Sequence, residues 1–164
     1  MSIPSDWSRG PVDDFILGRL RDAHLDPAPD APPQVLIRRA FFLLTGLPPS
    51  SEQVQAFLDD RRPDAFARVV DQLLASPQFG ERWGRHWLDL ARYADSNGLD
   101  ENFLFREAWR YRNWVIDAVN ADMPFDRFVL EQLAGDCLPF TSIEQRHRPR
   151  LAAGFLVVGP QVLL

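Results

Sequence analysis

Only one of the 164 residues is a cysteine, Cys137, which excludes an internal disulfide framework and a cysteine-rich zinc site. A domain without disulfides survives in either redox environment, so this scarcity says nothing about compartment. Long apolar runs are also missing. No stretch approaches the roughly 18 consecutive apolar residues of a membrane-crossing helix, so no span is expected. There is no basic excess: the net charge is −5, which argues against a protein that tracks nucleic-acid phosphates. The opening, MSIPSDWSRGP, carries neither the charged n-region nor the apolar h-region of a signal peptide. Internal repeats are absent, and no segment alternates apolar and polar residues long enough to demand a sheet.

What the chain does have is aromatic bulk and proline punctuation. Twelve Phe and five Trp predict a bulky, well-defined core. A chain of this length buries roughly 70% of the surface its unfolded form exposes, enough for one sizeable core. Pro11 follows Gly10 at a good first helical position, with Asp13 and Asp14 in the first turn, and Val12, Phe15, Ile16, Leu20 and Ala23 mark one face of a helix over 11–24. DPAPDAPP (26–33) reads as a stiff connector. QVLIRRAFFLLTG (34–46) is apolar around most of its circumference and is expected to be central, with Gly46 as its stop. Ser50 stands three residues before Gln53, a capping-box spacing. Further helical periodicity over 63–76, 76–95, 106–120, 124–136 and from about Ile143 gives an all-α expectation: a compact single-domain bundle of about six to eight helices with proline-rich connectors. Residues 1–10 read as an N-terminal extension and 11–164 as the helical domain. The apolar ending, LAAGFLVVGPQVLL, has no polar cap, so a fragment of a longer protein, truncated at its C-terminus, is expected.

HWLDLARYADSNG (86–98) concentrates polar groups. At 100° per residue Trp83, Trp87, Leu90 and Ala94 share one face, expected to be core, with Ala91 beside it. His86, Asp89 and Tyr93 flank that face at spacings of three and four, and Arg85 and Arg92 come within reach of Asp89. Three readings compete for this seam of Arg85, His86, Asp89, Arg92 and Tyr93. In the first it is a half-buried structural cluster, with both arginines clamping Asp89. Asp89→Ala should then cost on the order of 1–3 kcal/mol. In the second, His86 and Asp89 join a carboxylate such as Glu131 or Asp136 around a metal, although the full HExxH pattern is absent. In the third, the His–Asp pair works as a general acid and base, although no nucleophile motif accompanies it.

The following segment gathers Asp95, Asn97, Asp100 and Glu101 around Gly98. Calcium favours such oxygen ligands on a flexible turn, but the EF-hand register would put Tyr93 first and Leu104 twelfth, and neither supplies a carboxylate. An Asn-Gly turn explains the segment without a metal. A polar, exposed loop is the expectation, with small effects of Asp95→Ala and Asn97→Ala on folding. WRYRNW (109–114) and ERWGRHW (81–87) interleave Arg with Trp. That pattern suits an internal cation–π stack or a carbohydrate ligand. Asp136, at the end of EQLAGD, is expected to pair with an arginine of an earlier helix.

Taken together, VDDFILGRL, LIRRAFFLLTGLPPS, LLASPQFGERWGRHWLDLARYADSNG, AWRYRNWVIDAVNADMPFDRFVLEQLAGD and LAAGFLVVGP resemble the planctomycete cytochrome-c-associated domain, a family of unknown function, over nearly the whole chain. The resemblance implies an exported, periplasmic or cell-envelope protein in which this domain lies between a cytochrome-c-like domain and a second domain, both potential partners. No CxxCH stands in the sequence, so no covalently bound haem is expected here. The family brings no catalytic residues to carry over. Two function classes follow: a helical interaction or scaffold module, or part of an extracellular polymer-degrading or metal-assisted enzyme.

Overall fold

A computed structural model describes residues 7–97 and 103–159, which form eight named helices. In chain order these are α1 (Pro11–Asp22), α2 (Pro33–Thr45), α3 (Ser51–Asp59), α4 (Ala65–Leu74), α5 (Pro77–Leu90), α6 (Ala108–Asn120), α7 (Phe125–Ala134) and α8 (Ile143–Ala152). A short 3-10 turn, Ala153–Leu156, follows α8. The protein is all-α: among the described residues the one extended pairing is an isolated bridge between Ser96 and Leu104. The chain separates into two units, Met1–Pro33 and Gln34–Leu164.

In the first unit, α1 starts as expected. Pro11 occupies the first turn after Gly10, and the Arg9 amide donates to Asp13 Oδ2 at 2.9 Å. Acidic residues at the start and Arg19 and Arg21 at the end both complement the helix dipole. The expected apolar face does not become core, however. Val12, Phe15 and Ile16 are exposed, Phe15 at 79%, and Leu17 is the buried residue of this helix.

Within the second unit, α2, α3 and α4 share a small core of Ile37, Ala40, Phe41 and Leu73, flanked by Phe57, Phe66 and Val69. Both signals around α3 hold. Ser50 and Gln53 form a reciprocal capping box, and Gly46 ends α2 with φ +73°, a left-handed conformation that glycine adopts without strain. α2 is not the central helix its composition suggested. One side is buried, while Val35, Phe42 and Leu43 face solvent and the Arg38 guanidinium lies 5.0 Å from the Phe42 ring.

The larger core joins α5 to α8 around Tyr111, Trp114, Val115, Ala118 and Phe128. The face of α5 that enters it is lined by glycine, not by the tryptophans. Gly80, Gly84 and Leu88 are buried at spacings of four, with Trp87 and Ala91 at the edge. Leu90 is 76% exposed and Trp83 39%, which corrects the expected Trp83–Trp87–Leu90 core face. The reason is close approach. A methyl at Gly80 would sit 2.5 Å from Asn120 Cγ, and one at Gly84 3.4 Å from Val115 Cγ1. Asn120 uses this proximity: its Oδ1 accepts the Gly80 amide at 2.8 Å, and its Nδ2 donates to the Pro77 carbonyl at 3.1 Å. The first turn of α5, whose amides lack helical partners, is thereby capped from α6.

A methyl at position 80 should displace Asn120 and break both bonds. Gly80→Ala is therefore expected to destabilise the protein by about 1–3 kcal/mol. Asn120→Ala should cost a similar amount, and the double variant less than the sum of the two, as read from chemical denaturation.

Candidate binding site

The seam on α5 dissolves into separate surface groups. Arg85 Nε donates to Asp89 Oδ1 at 3.1 Å, with side chains 71% and 64% exposed. Arg92 makes no ion pair among the described residues; it lies beyond the helix end with φ +55°. The two-arginine clamp on a half-buried Asp89 is thus corrected to one exposed ion pair. His86 is exposed and packs edge-on against Trp83, ring centroids 5.2 Å apart. Glu131 is buried inside α7 and accepts Arg127 Nε at 2.6 Å, while Asp136 is exposed and makes no ion pair among the described residues. Among the described residues no three His, Cys, Asp or Glu side chains stand close enough to hold a metal ion.

Tyr93 and the segment after it do the opposite of what a free polar loop would do. The Tyr93 hydroxyl donates to Asp95 Oδ1 at 2.6 Å, and the Asp95 carbonyl accepts the Phe105 amide at 2.8 Å. Asn97 is 2% exposed. Its Oδ1 accepts the Phe103 amide at 2.9 Å and its own amide donates to the Phe103 carbonyl at 3.1 Å. The exposed-loop expectation for Asn97 is therefore corrected: this side chain closes the base of the loop, where a polar group must find a partner to be buried. Asp100 and Glu101 lie outside the described residues.

Behind this strap runs an aromatic and amide network that ties three helices together. Trp87 Nε1 donates to Gln132 Oε1 at 2.8 Å and to the Tyr111 hydroxyl at 3.0 Å, and Tyr111 donates to the same Gln132 oxygen at 2.6 Å. Gln132 Nε2 donates to the Phe128 carbonyl at 3.1 Å. Tyr93 stacks on Tyr111 with centroids 6.4 Å apart. Burial raises the Tyr111 ionisation to about 12. For Tyr93, burial first and then the bond to Asp95 raise it to about 12 as well.

Two open concave spaces compete as a site. One, of about 500 Å³, lies among α2, α3 and α4 over Ile37, Phe41 and Leu73. Its rim charges are already paired: Arg62 bonds Asp60 through Nε at 2.8 Å, holding that carboxyl near 2, and Arg68 bonds Asp64 at 2.8 Å. The other, of about 460 Å³, lies where the start of α6 meets the end of α8. Its floor is apolar, made by Phe105, Ala108, the Tyr111 ring, Leu151 and Val158. Gly154 brings the 3-10 turn against Tyr111, since a methyl there would lie 3.0 Å from Tyr111 Cβ. Arg106, Arg110 and Arg150 stand round the mouth. Arg110 is engaged with Glu107 and lies over the Trp109 ring, 5.3 Å from its centroid; this is the one Arg–Trp stack the interleaved motifs produce among the described residues. Arg106 and Arg150 have no ion-pair partner among the described residues. Sequence reasoning missed this site because its residues come from segments about 40 positions apart.

The chain is thus an all-α domain with an apolar pocket bordered by arginines. The chain matches, over residues 11–162, the sequence model of the family described as PSCyt2, protein of unknown function (DUF1549). It belongs to that family. No curated protein and no solved structure matches it.

Two outcomes follow. Asn97→Ala should cost about 1–3 kcal/mol by leaving the Phe103 amide unpaired. Asp89→Ala should stay within about 0.5 kcal/mol, as expected of an exposed ion pair. Thermal melts reading the reverse order would refute this assignment. The chain has two tyrosines, so tyrosinate absorbance reports on Tyr93 and Tyr111 alone. Both folded values are raised above the ordinary value of 10.0, so their contribution to stability is complete below about pH 10 and is lost as pH climbs towards about 12. An alkaline titration should show no step near pH 10 until the protein unfolds.

Proposed function

We propose that the domain is a helical interaction module of a larger protein, holding a neighbouring domain in place through the cavity between α6 and α8. One observation carries the reading. An apolar floor is surrounded by arginines, two of which lack an ion-pair partner among the described residues. Unpaired cations over an apolar surface favour a partner that covers the surface and neutralises the charge. Exposed apolar side chains elsewhere in the second unit, Phe42 and Leu43 on α2 and Leu130 and Leu133 on α7, support an environment crowded by other protein.

The first partner to test is the cytochrome-c-like domain of the protein that carries this one, and then its second domain. Exported or envelope residence belongs to the same proposal. Calorimetric titration of the chain with each separately produced domain should give a one-to-one complex with one of them. Arg150→Glu should weaken that complex at least tenfold while leaving the circular dichroism unchanged. Absence of a complex with every domain of the parent protein would reject the reading.

A further inference from the structure

The cavity at the start of α6 does not end there. A second space, of about 390 Å³, shares Arg110 and Leu151 with it and continues along α6 past Trp109 and Asn113 to Asp117, with Arg148 on the opposite side. Sharing these residues, the two adjoin along α6 and α8 as a groove in two parts. From Ala108 to Asp117 the helix advances ~14 Å at 1.5 Å per residue, with Arg106 in the turn before it. That length accommodates about four residues of extended chain at roughly 3.4 Å each.

The charge along this groove is opposite in sign to that of the whole molecule. Arg106, Arg110, Arg148 and Arg150 border it, against Glu107, which is engaged with Arg110, and Asp117. The chain as a whole carries −5. Every cation in it is arginine, for the sequence contains no lysine. Guanidinium groups are weakly hydrated and present paired N–H donors that fit a carboxylate edge-on. The floor between them is apolar, and Trp109, 44% exposed, offers a further ring face. A bare anion would leave that floor wet. An apolar helix would offer the arginines no anionic partner.

We infer that the groove takes an extended peptide segment in which acidic and apolar residues alternate. In an extended chain successive side chains point to opposite sides. One set can fill the floor over Leu151 and Tyr111 while the other reaches the arginine rim. This rests on the reading of the domain as an interaction module, and it names the partner's contacting segment by its chemistry.

The test uses a fluorescently labelled pentapeptide of alternating Glu and Leu and the whole chain, read by anisotropy. The expected result is saturable binding that weakens as salt rises. Arg106→Glu combined with Arg150→Glu should weaken it at least tenfold, and so should Arg148→Glu at the far end of the groove. All three side chains are exposed, and circular dichroism of each variant verifies its fold. The Lys-for-Glu peptide should not compete. Equal binding of that peptide, indifference to the arginine variants, or no saturable binding would each overturn the inference. Displacement by inorganic phosphate at the concentration that the peptide itself requires would mark a bare anion site and overturn it too. If the peptide fails while the domain complex forms and is lost with Arg150→Glu, the ligand class is wrong and the interaction module stands. If the peptide binds and no domain complex forms, the module reading is the one that falls.

Discussion

The approach of α5 to α6 is the constraint on which the larger core depends. Gly80 and Gly84 let the two backbones come close enough for Asn120 to cap α5 from its neighbour and for Val115 to sit over the glycine stripe. Trp87 is placed by that contact, one residue before Leu88 on the same helix. From there its indole N–H reaches Tyr111 on α6 and Gln132 on α7. Side chains at the α5–α6 contact therefore set where the third helix can dock. A similar device recurs at the next junction, where Gly135 lies against the Pro149 carbonyl of α8 and leaves no room for a methyl.

The polar network is as consequential as the packing. A buried glutamine, tyrosine and tryptophan would each cost free energy alone, but here Gln132 Oε1 accepts from both of the others and its amide is tied to Phe128. Trp87 and Trp114 meet Phe128 at 4.9 Å and 5.0 Å, one edge-on and one stacked, so apolar and polar contacts fix the same three helices. Not every buried polar atom is satisfied: Trp114 Nε1 and Glu131 Oε2 have no partner among the described residues.

Much of the fold is legible in the sequence, because helix ends are written locally. Pro11, the Ser50–Gln53 box and Gly46 each act where their chemistry suggests. The phase of α5 was not legible, since a hydrophobic count favours Trp83 and Leu90 and gives glycine no weight as a packing residue. The exposed face of α2 was hidden for a related reason: composition shows how much apolar surface a helix has, not how many neighbours arrive to cover it. Asn97 reads as a turn residue, and only the fold shows that it is enclosed. Of the residues singled out beforehand, Tyr93, Asp95 and Asn97 are drawn together, Arg85 and Asp89 pair at the surface, and His86 stands apart. The arginine-bordered groove left no local trace, because its walls come from α6 and from α8 with the turn beyond it.

Ala108, Tyr111 and Val158 belong at once to the packed core and to the floor of the cavity. Any occupant of that floor rests on side chains whose positions define the folded state, and the site ceases to exist once they separate. Occupancy and folding are then thermodynamically linked. A ligand present at 100 times its dissociation constant adds about 2.7 kcal/mol to the stability of the native chain. A partner bound there would act as a structural part of the domain.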